Sequence, residues 1–385
     1  MLRQVFVVSA LNFRSLKHRP WQSLVVVVGM ACVIGVLLSM LSLTEGLLAT
    51  YAKTGDPGRA LVVSAGSQGE GDSTISRDKA PLIMDAPGIA KAPDGSPMAD
   101  PGINSGVPVY RLNGRQAYNT LRGFGPKGVM LRPEFHLVSG RMFRSGTREL
   151  IVGVSANTQF KDMNVGDKVI LPDGEWPIVG SYTTGDLLDA QLIGDTETVM
   201  KAIRRPAYNS VLVRLASPSS FSTFKGALTT NPALAVDPIL QSDWYKKISE
   251  GVSTFFKVIA YGIGIILAIG ALFGCLNTMY AAVASRAREI ATLRAIGYGA
   301  FAVAMSVILE AVALSVTGAL IGAAIAWALY DGVESSFGSS VFKLTVSPAL
   351  FGMAILWAVA VALLGGLLPS IRAARRPVVE ALRAT

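Results

Sequence analysis

Apolar residues in this chain come in four long blocks. Leu24–Leu43, Val258–Ser285 and Pro348–Pro369 contain no charged residue, and Ala302–Tyr330 contains only Glu310. A helix rises 1.5 Å per residue, so about 20 apolar residues cross the hydrocarbon core of a bilayer. Each block therefore predicts a spanning helix. The first could be confused with a cleavable leader, but the basic stretch before it is long and no small-x-small cleavage site follows. Cys32 lies in mid-block behind Gly29-Met30-Ala31, which makes a poor lipidation signal. Ahead of this block, Val5, Val8, Leu11 and Leu16 recur at roughly helical spacing, with the cations Arg3, Arg14, Lys17 and Arg19 among and beside them. That pattern predicts an amphipathic helix on the inner membrane surface, with Pro20 breaking it or starting the next helix.

Residues 49–254 are polar and of ordinary globular composition. Strand-like runs stand at Ala60–Ser64, Gly106–Leu112, Glu149–Val154, Asp167–Leu171, Trp176–Tyr182 and Ser210–Leu215, and helical patterns at Ser155–Met163 and Asp195–Ile203. The first half is punctuated by Gly55, Pro57, Gly58, Gly66, Gly69, Gly71, Pro87, Gly88, Pro93 and Gly95, which reads as loops or a poorly ordered insert. Further on, Trp244, Ile248, Val252, Phe255 and Phe256 fall on one helical face within Asp243–Lys257. That segment runs without proline into the second block and reads as a helical stalk continuous with it. The expected fold is an α-helical membrane protein with four transmembrane helices and an α+β domain inserted between the first and second spans.

Charge fixes the expected orientation. The chain has 385 residues, 51% of them hydrophobic, and a net charge of +9. Its cations cluster beside the spans: Arg3, Arg14, Lys17 and Arg19 before the first, Arg286, Arg288 and Arg294 between the second and third, and Arg372, Arg375, Arg376 and Arg383 after the fourth. The loop 331–347 has only Lys343. By the positive-inside rule both termini are cytosolic and residues 49–254 lie outside. The basic balance is a signature of topology and of attraction to anionic lipid, and no nucleic-acid partner is expected. Cys32 and Cys275 both lie in apolar blocks and read as small buried hydrophobes, and His18 and His136 are too far apart in sequence to suggest a zinc site. No catalytic, cofactor-binding or metal-binding residues are expected.

Motifs for chemistry are missing from the sequence: it contains no G-x4-G-K-[ST] phosphate loop, G-x-S-x-G, H-E-x-x-H or CxxC. Three other features remain. The turn after the second block sets Ile290 and Leu293 among Arg286, Arg288, Glu289 and Arg294. It could lay an apolar edge in a partner's groove, or it could be a charged anchor only. Glu310 is costly inside a span. It lies toward the cytosolic end, where it can snorkel or meet an arginine of the turn. A lone carboxylate makes a poor ion relay, so a structural role is expected. Gly270-x3-Gly274 and Gly318-x3-Gly322 are spacings that let membrane helices approach closely.

These residues resemble a known family. Asn277-Thr278-Met279, Arg286-x-Arg288-Glu289-Ile290 and Leu293-Arg294-Ala295-Ile296-Gly297 are similar to a signature of the permease subunits of MacB/FtsX-like ABC transporters, the type VII or mechanotransmission group. Leu309-Glu310-Ala311 with Gly318 and Gly322 resembles its third span. Pro369 with Ala373-Ala374 and Pro377, then Glu380-Ala381-Leu382-Arg383, resembles its tail. Gly140-Arg141-x-Phe143, Val165-Gly166-Asp167 and Ile178-Val179-Gly180 resemble its periplasmic core. Ala291, Ser285 and Tyr298 depart from the usual glycine, acidic and small residues.

The resemblance implies a bacterial inner-membrane, multi-pass protein divided as follows: a cytosolic amphipathic helix (1–23), first span (24–48), MacB-like periplasmic core (49–242), stalk and second span (243–284), cytosolic coupling helix (285–301), third span (302–330), short periplasmic loop (331–347), fourth span (348–369) and cytosolic tail (370–385). It implies a separate ABC ATP-binding subunit carrying ATP and Mg, coupled through Arg286, Arg288, Glu289, Ile290, Leu293 and Arg294. Glu310, Gly318 and Gly322 would be structural, and Trp244, Ile248, Val252 and Phe255 would form the stalk. A homodimer, or a heterodimer with a paralogous permease, is implied, with a periplasmic adaptor and an outer-membrane channel as further partners. The implied function is ATP-driven export or efflux of hydrophobic compounds, peptides or lipidated cargo from the periplasm or outer leaflet. The alternative is an FtsX-like relay that controls a periplasmic enzyme such as a cell-wall hydrolase. A membrane-anchored enzyme is a third reading, which no motif supports.

Overall fold

The computed structural model describes residues 4–9, 20–337 and 340–375. Contacts divide the chain into two compact units. One comprises residues up to Gly46, Ser253–Val333 and the chain from Leu344 onward; the other comprises Leu47–Val252 and Glu334–Lys343.

The first unit is helical. Among the described residues, four helices are long and apolar enough to cross a membrane: α1 (Pro20–Thr54), α5 (Gln241–Ser285), α7 (Ala300–Tyr330) and α8 (Pro348–Arg375). Pro20 is the first described residue of α1. At 35 and 45 residues, α1 and α5 are about 50 and 70 Å long by helical rise, well beyond a hydrocarbon core. Ile34, Leu37 and Leu38 of α1 pack with Ala319, Ala323 and Ala326 of α7 and Ala354, Ala358 and Val361 of α8. The small residues on α7 and α8 keep these axes close. A Cβ on Gly318 would lie 2.4 Å from the Val27 carbonyl oxygen, and one on Gly322 2.4 Å from that of Ala31.

Two sequence expectations change here. Pro369 does not end the last helix, which continues to Arg375. The residue four places before it is Gly365, whose lack of a side chain lets α8 approach Cys275 of α5. Cys275 is buried as expected, whereas Cys32 is exposed on a groove of ≈ 360 Å³ between α1 and α5. Of the N-terminal segment, residues 4–9 are helical and turn Val8 and Ser9 inward, leaving Phe6 exposed. Leu11 and Leu16 lie outside the described residues, as does the tail beyond Arg375.

The second unit is a ten-stranded mixed sheet, ordered β10-β1-β9-β2-β3-β8-β5-β7-β4, with β6 attached to β7. The strands are β1 (Arg59–Ser64), β2 (Ala99–Tyr110), β3 (Gln116–Phe124), β4 (His136–Gly140), β5 (Leu150–Gly153), β6 (Lys168–Leu171), β7 (Gly174–Thr183), β8 (Leu192–Asp195), β9 (Ser210–Arg214) and β10 (Val236–Leu240). β3/β8 and β5/β7 pair in parallel. The short helices are α2 (Lys79–Met84), α3 (Thr196–Ala202) and α4 (Ser220–Thr229). Asp195 ends β8 and caps α3 by accepting from the Thr198 N–H. Along β7, Trp176, Ile178 and Tyr182 alternate inward, the period-2 pattern of a half-buried strand.

Ser155–Met163 is a run of turns and not the expected helix. Asp162 takes φ 57°, which no helix continues through, and Phe160 and Met163 are thereby aimed into the core. The Gly- and Pro-rich stretch is ordered. Ile75 bridges to Tyr208, Ile89 to Leu215, and Ile75 and Ile83 are fully buried. Within 331–347, Glu334–Phe337 and Ser340–Lys343 form an antiparallel hairpin, β11 and β12, that belongs to this second unit.

Candidate coupling site

The charged turn folds as a short helix, α6 (Ala287–Ala295), between α5 and α7. Gly297 follows at φ 100°, a left-handed conformation that costs a glycine little and reverses the chain toward α7. The turn's three arginines take different roles. Arg286 points inward. Its guanidinium donates to both oxygens of Glu310 on α7, at 3.0 and 3.4 Å, and each side chain is only 5% exposed. The carboxylate inside the third span thus has its countercharge at the foot of the second. A charge pair so buried holds a fixed geometry, because losing either partner strands the other in a low-dielectric setting.

Arg294, at the other end of α6, donates to the Ala374 carbonyl of α8 at 2.9 Å. Between these anchors Ile290 packs against Val283, Val303, Val307 and Ala373, drawn from α5, α7 and α8. Leu293 lines a cavity of ≈ 20 Å³ with Val8 and Ile290. The apolar edge read from the sequence therefore faces the protein's own helices. The exposed face carries Arg288, Glu289, Thr292 and Ile296, the last 68% exposed. Thr292 and Ile296 were not singled out by sequence. Their helical spacing from Arg288 was the available signal.

The stalk residues also divide. Trp244 is buried and Ile248 packs beside it against Leu61, Val63 and Leu212 of the sheet domain, while Val252 is half-buried and Phe255 is 57% exposed.

The outer domain holds a buried ionic cluster that sequence reasoning missed. Glu70 takes a bidentate pair from Arg122 at 2.9 and 3.1 Å, and accepts from Ser210 and Asn104. Burial alone would raise its pKa; the Arg122 charge and these hydrogen bonds outweigh it and hold the carboxyl at about 2. Asp100 has no such fork. It accepts from the Gly125 and Lys127 N–H groups, and burial pushes it up to about 6. Arg132 lies over the Phe124 ring at 4.2 Å. Burial, then repulsion from Arg122 and Arg59, pull it down to about 10.

The model of the MacB-like periplasmic core domain matches residues 23–231, and that of the FtsX-like permease C-terminal region matches residues 261–378. No curated protein matches the chain. Among solved structures, the periplasmic region of MacB from Actinobacillus actinomycetemcomitans is similar, with 15% identity over 52% of this chain and 97% of that one and a TM-score of 0.39. The extracellular domain of the noncanonic ABC-type transporter YknZ from Gram-positive bacteria has 13% identity over 47% and 99%, with a TM-score of 0.36. With the two family models falling on the inserted sheet domain and on the helices that flank the turn, the chain belongs to the MacB/FtsX-like ABC permeases.

Proposed function

We propose that this permease works in the bacterial inner membrane with both termini cytosolic, and that a separate ABC ATP-binding subunit, holding ATP and Mg, grips α6. The motion passes to the sheet domain and serves export or efflux of hydrophobic compounds, peptides or lipidated cargo from the periplasm or outer leaflet. The supporting observation is the anchoring of α6 at both ends, through Arg286–Glu310 and Arg294–Ala374. A helix held this way cannot be pushed without moving α5, α7 and α8, and it still offers Arg288, Glu289, Thr292 and Ile296 outward. In this reading Arg288 and Glu289 meet the partner directly, whereas Arg286 and Arg294 act by holding the helix. A second permease chain, identical or paralogous, completes the complex, with an adaptor and an outer-membrane channel beyond it.

The test is a mild-detergent pull-down of the tagged full-length chain with mass spectrometry. A soluble subunit bearing a phosphate loop, recovered in equal amount and lost on Arg288→Glu with Ile296→Asp, is the expected result. Retention of that subunit by the double variant would place the grip elsewhere. A co-purifying cell-wall hydrolase without an adaptor would turn the reading from export to relay.

A further inference from the structure

Three stretches of chain lead from spanning helices into the sheet domain: the end of α1, the start of α5, and the β11–β12 hairpin that joins α7 to α8. The stalk accounts for the first two. The two strands of the hairpin are only four residues each, and nothing in the family assignment gives it a role. Its ladder pairs Glu334 with Lys343 and Ser335 with Phe342, and Phe342 is 2% exposed. β12 packs against the 3-10 turn Leu187–Ala190. Glu334 also accepts from Thr158 at 3.4 Å.

The same turn receives the end of α1, because the Leu187 N–H donates to Thr54 Oγ1 at 3.3 Å. The turn is stiff. Asp186 accepts from the Leu188 N–H at 2.9 Å, and the Tyr182 hydroxyl lies 2.6 Å from the Leu188 carbonyl and 3.0 Å from that of Gln191. Asp189 accepts from Thr183 and Gly185 on the far side. A Cβ on Gly153 of β5 would sit 2.2 Å from the Asp189 carbonyl oxygen, so the turn is also wedged against the sheet. Beside it the α1 and α5 connections meet each other. Gly55 packs on Ser242, where a Cβ would lie 2.8 Å from the Ser242 Cα.

We infer that the β11–β12 hairpin is a second strut into the outer domain, seated with the end of α1 on the Leu187–Ala190 turn, and that Phe342 and Thr54 are its positioning residues. The anchors of α6 lie on α7 and α8, and the hairpin is the direct link between those two helices. Displacement of α6 therefore has a route to the sheet that bypasses the stalk. The inference rests on the proposed function for what drives the strut; the seating of the hairpin stands apart from it.

Hydrogen–deuterium exchange on the full-length chain in detergent tests the seating. Phe342→Ala should speed exchange of residues 184–191 by about tenfold or more while β1 and β9 stay protected. Thr54→Val should do so more weakly, and Phe342→Leu should restore protection. Unchanged exchange of 184–191 in Phe342→Ala would overturn the inference. The second arm adds the co-purified ATPase. Phe342→Ala should keep that subunit and its ATP hydrolysis but lose the nucleotide-dependent change in outer-domain exchange, with Phe342→Leu regaining it. A variant with loosened 184–191 and a full nucleotide response would also sink the strut. If the wild type recruits no ATPase, it is the proposed function that fails, and the first arm alone judges the seating.

Discussion

Two glycine pairs of identical spacing stand in different surroundings. Gly318 and Gly322 on α7 face the backbone of α1 so closely that a methyl group at either would meet a carbonyl oxygen at 2.4 Å. Among the described residues, Gly270 and Gly274 on α5 have nothing within 4 Å of where a Cβ would be, and they line the open groove beside Gly29. The same contrast recurs outside the membrane helices. Glu70 and Asp100 are both buried carboxylates of one cluster, yet the first is held ionised by Arg122 and the second has no arginine fork. In both cases the residue type announces a capacity, and the neighbour decides whether it is used.

The sharpest way to break the comparison is a bulky residue at the filled pair. Gly322→Leu should remove the monodisperse folded species from detergent extracts, because the clash is with backbone that cannot rotate away. A normal elution profile would mean that α7 does not touch α1 there. Next in size is Glu310→Ala, which strands Arg286 and should cost about 3–5 kcal/mol in thermal or denaturant unfolding. The double change Arg286→Met with Glu310→Leu should recover most of that loss, and failure to recover would show that the pair does more than neutralise itself.

The third prediction uses pH on the two carboxylates. Asp100 has a folded pKa raised to about 6, so its protonated form is favoured in the folded domain. Stability from this group therefore rises as pH falls from 7 toward 5, by about 1 kcal/mol. Asp100→Asn should flatten that rise. Glu70, lowered to about 2, works oppositely: its contribution is full above its ordinary pKa near 4.5 and is lost as pH falls toward 2. The smallest effect belongs to the open pair, where Gly274→Leu should change the unfolding midpoint of the isolated chain by no more than about 0.5 kcal/mol equivalent. A large loss would mean that the groove is closed in solution.

Much of the architecture was legible because the bilayer imposes a strong code. Uncharged runs of the right length read as spanning helices, and α1, α5, α7 and α8 lie on them. Strands with dense β-branched or aromatic residues, such as β1, β7 and β9, were legible too. β4 and β8 were not, being only five and four residues long and set among turn formers. β2 was read only from Gly106 onward, since Pro101 and Gly102 interrupt the pattern of its first half. At the turn, sequence placed a charged helix correctly but could not orient it. Arg286, Arg288 and Arg294 look alike along the chain, and only the position of Glu310, one helix away, shows that Arg286 points inward. The order of residues 66–75 was hidden for the same reason. What pins them is Glu70 reaching Arg122, with Asn209 donating to three of their carbonyls.

Gly55 has a mechanical consequence. Where α1 and α5 come into the sheet domain, the two backbones touch with no side chain of Gly55 between them. Such a contact leaves no room for a side chain: a methyl group at residue 55 would meet the Ser242 Cα at 2.8 Å and the Ser242 nitrogen at 3.4 Å. Any residue larger than glycine must therefore part the end of α1 from the start of α5, and the spacing of the two helical entries into the sheet domain is set by a missing methyl group.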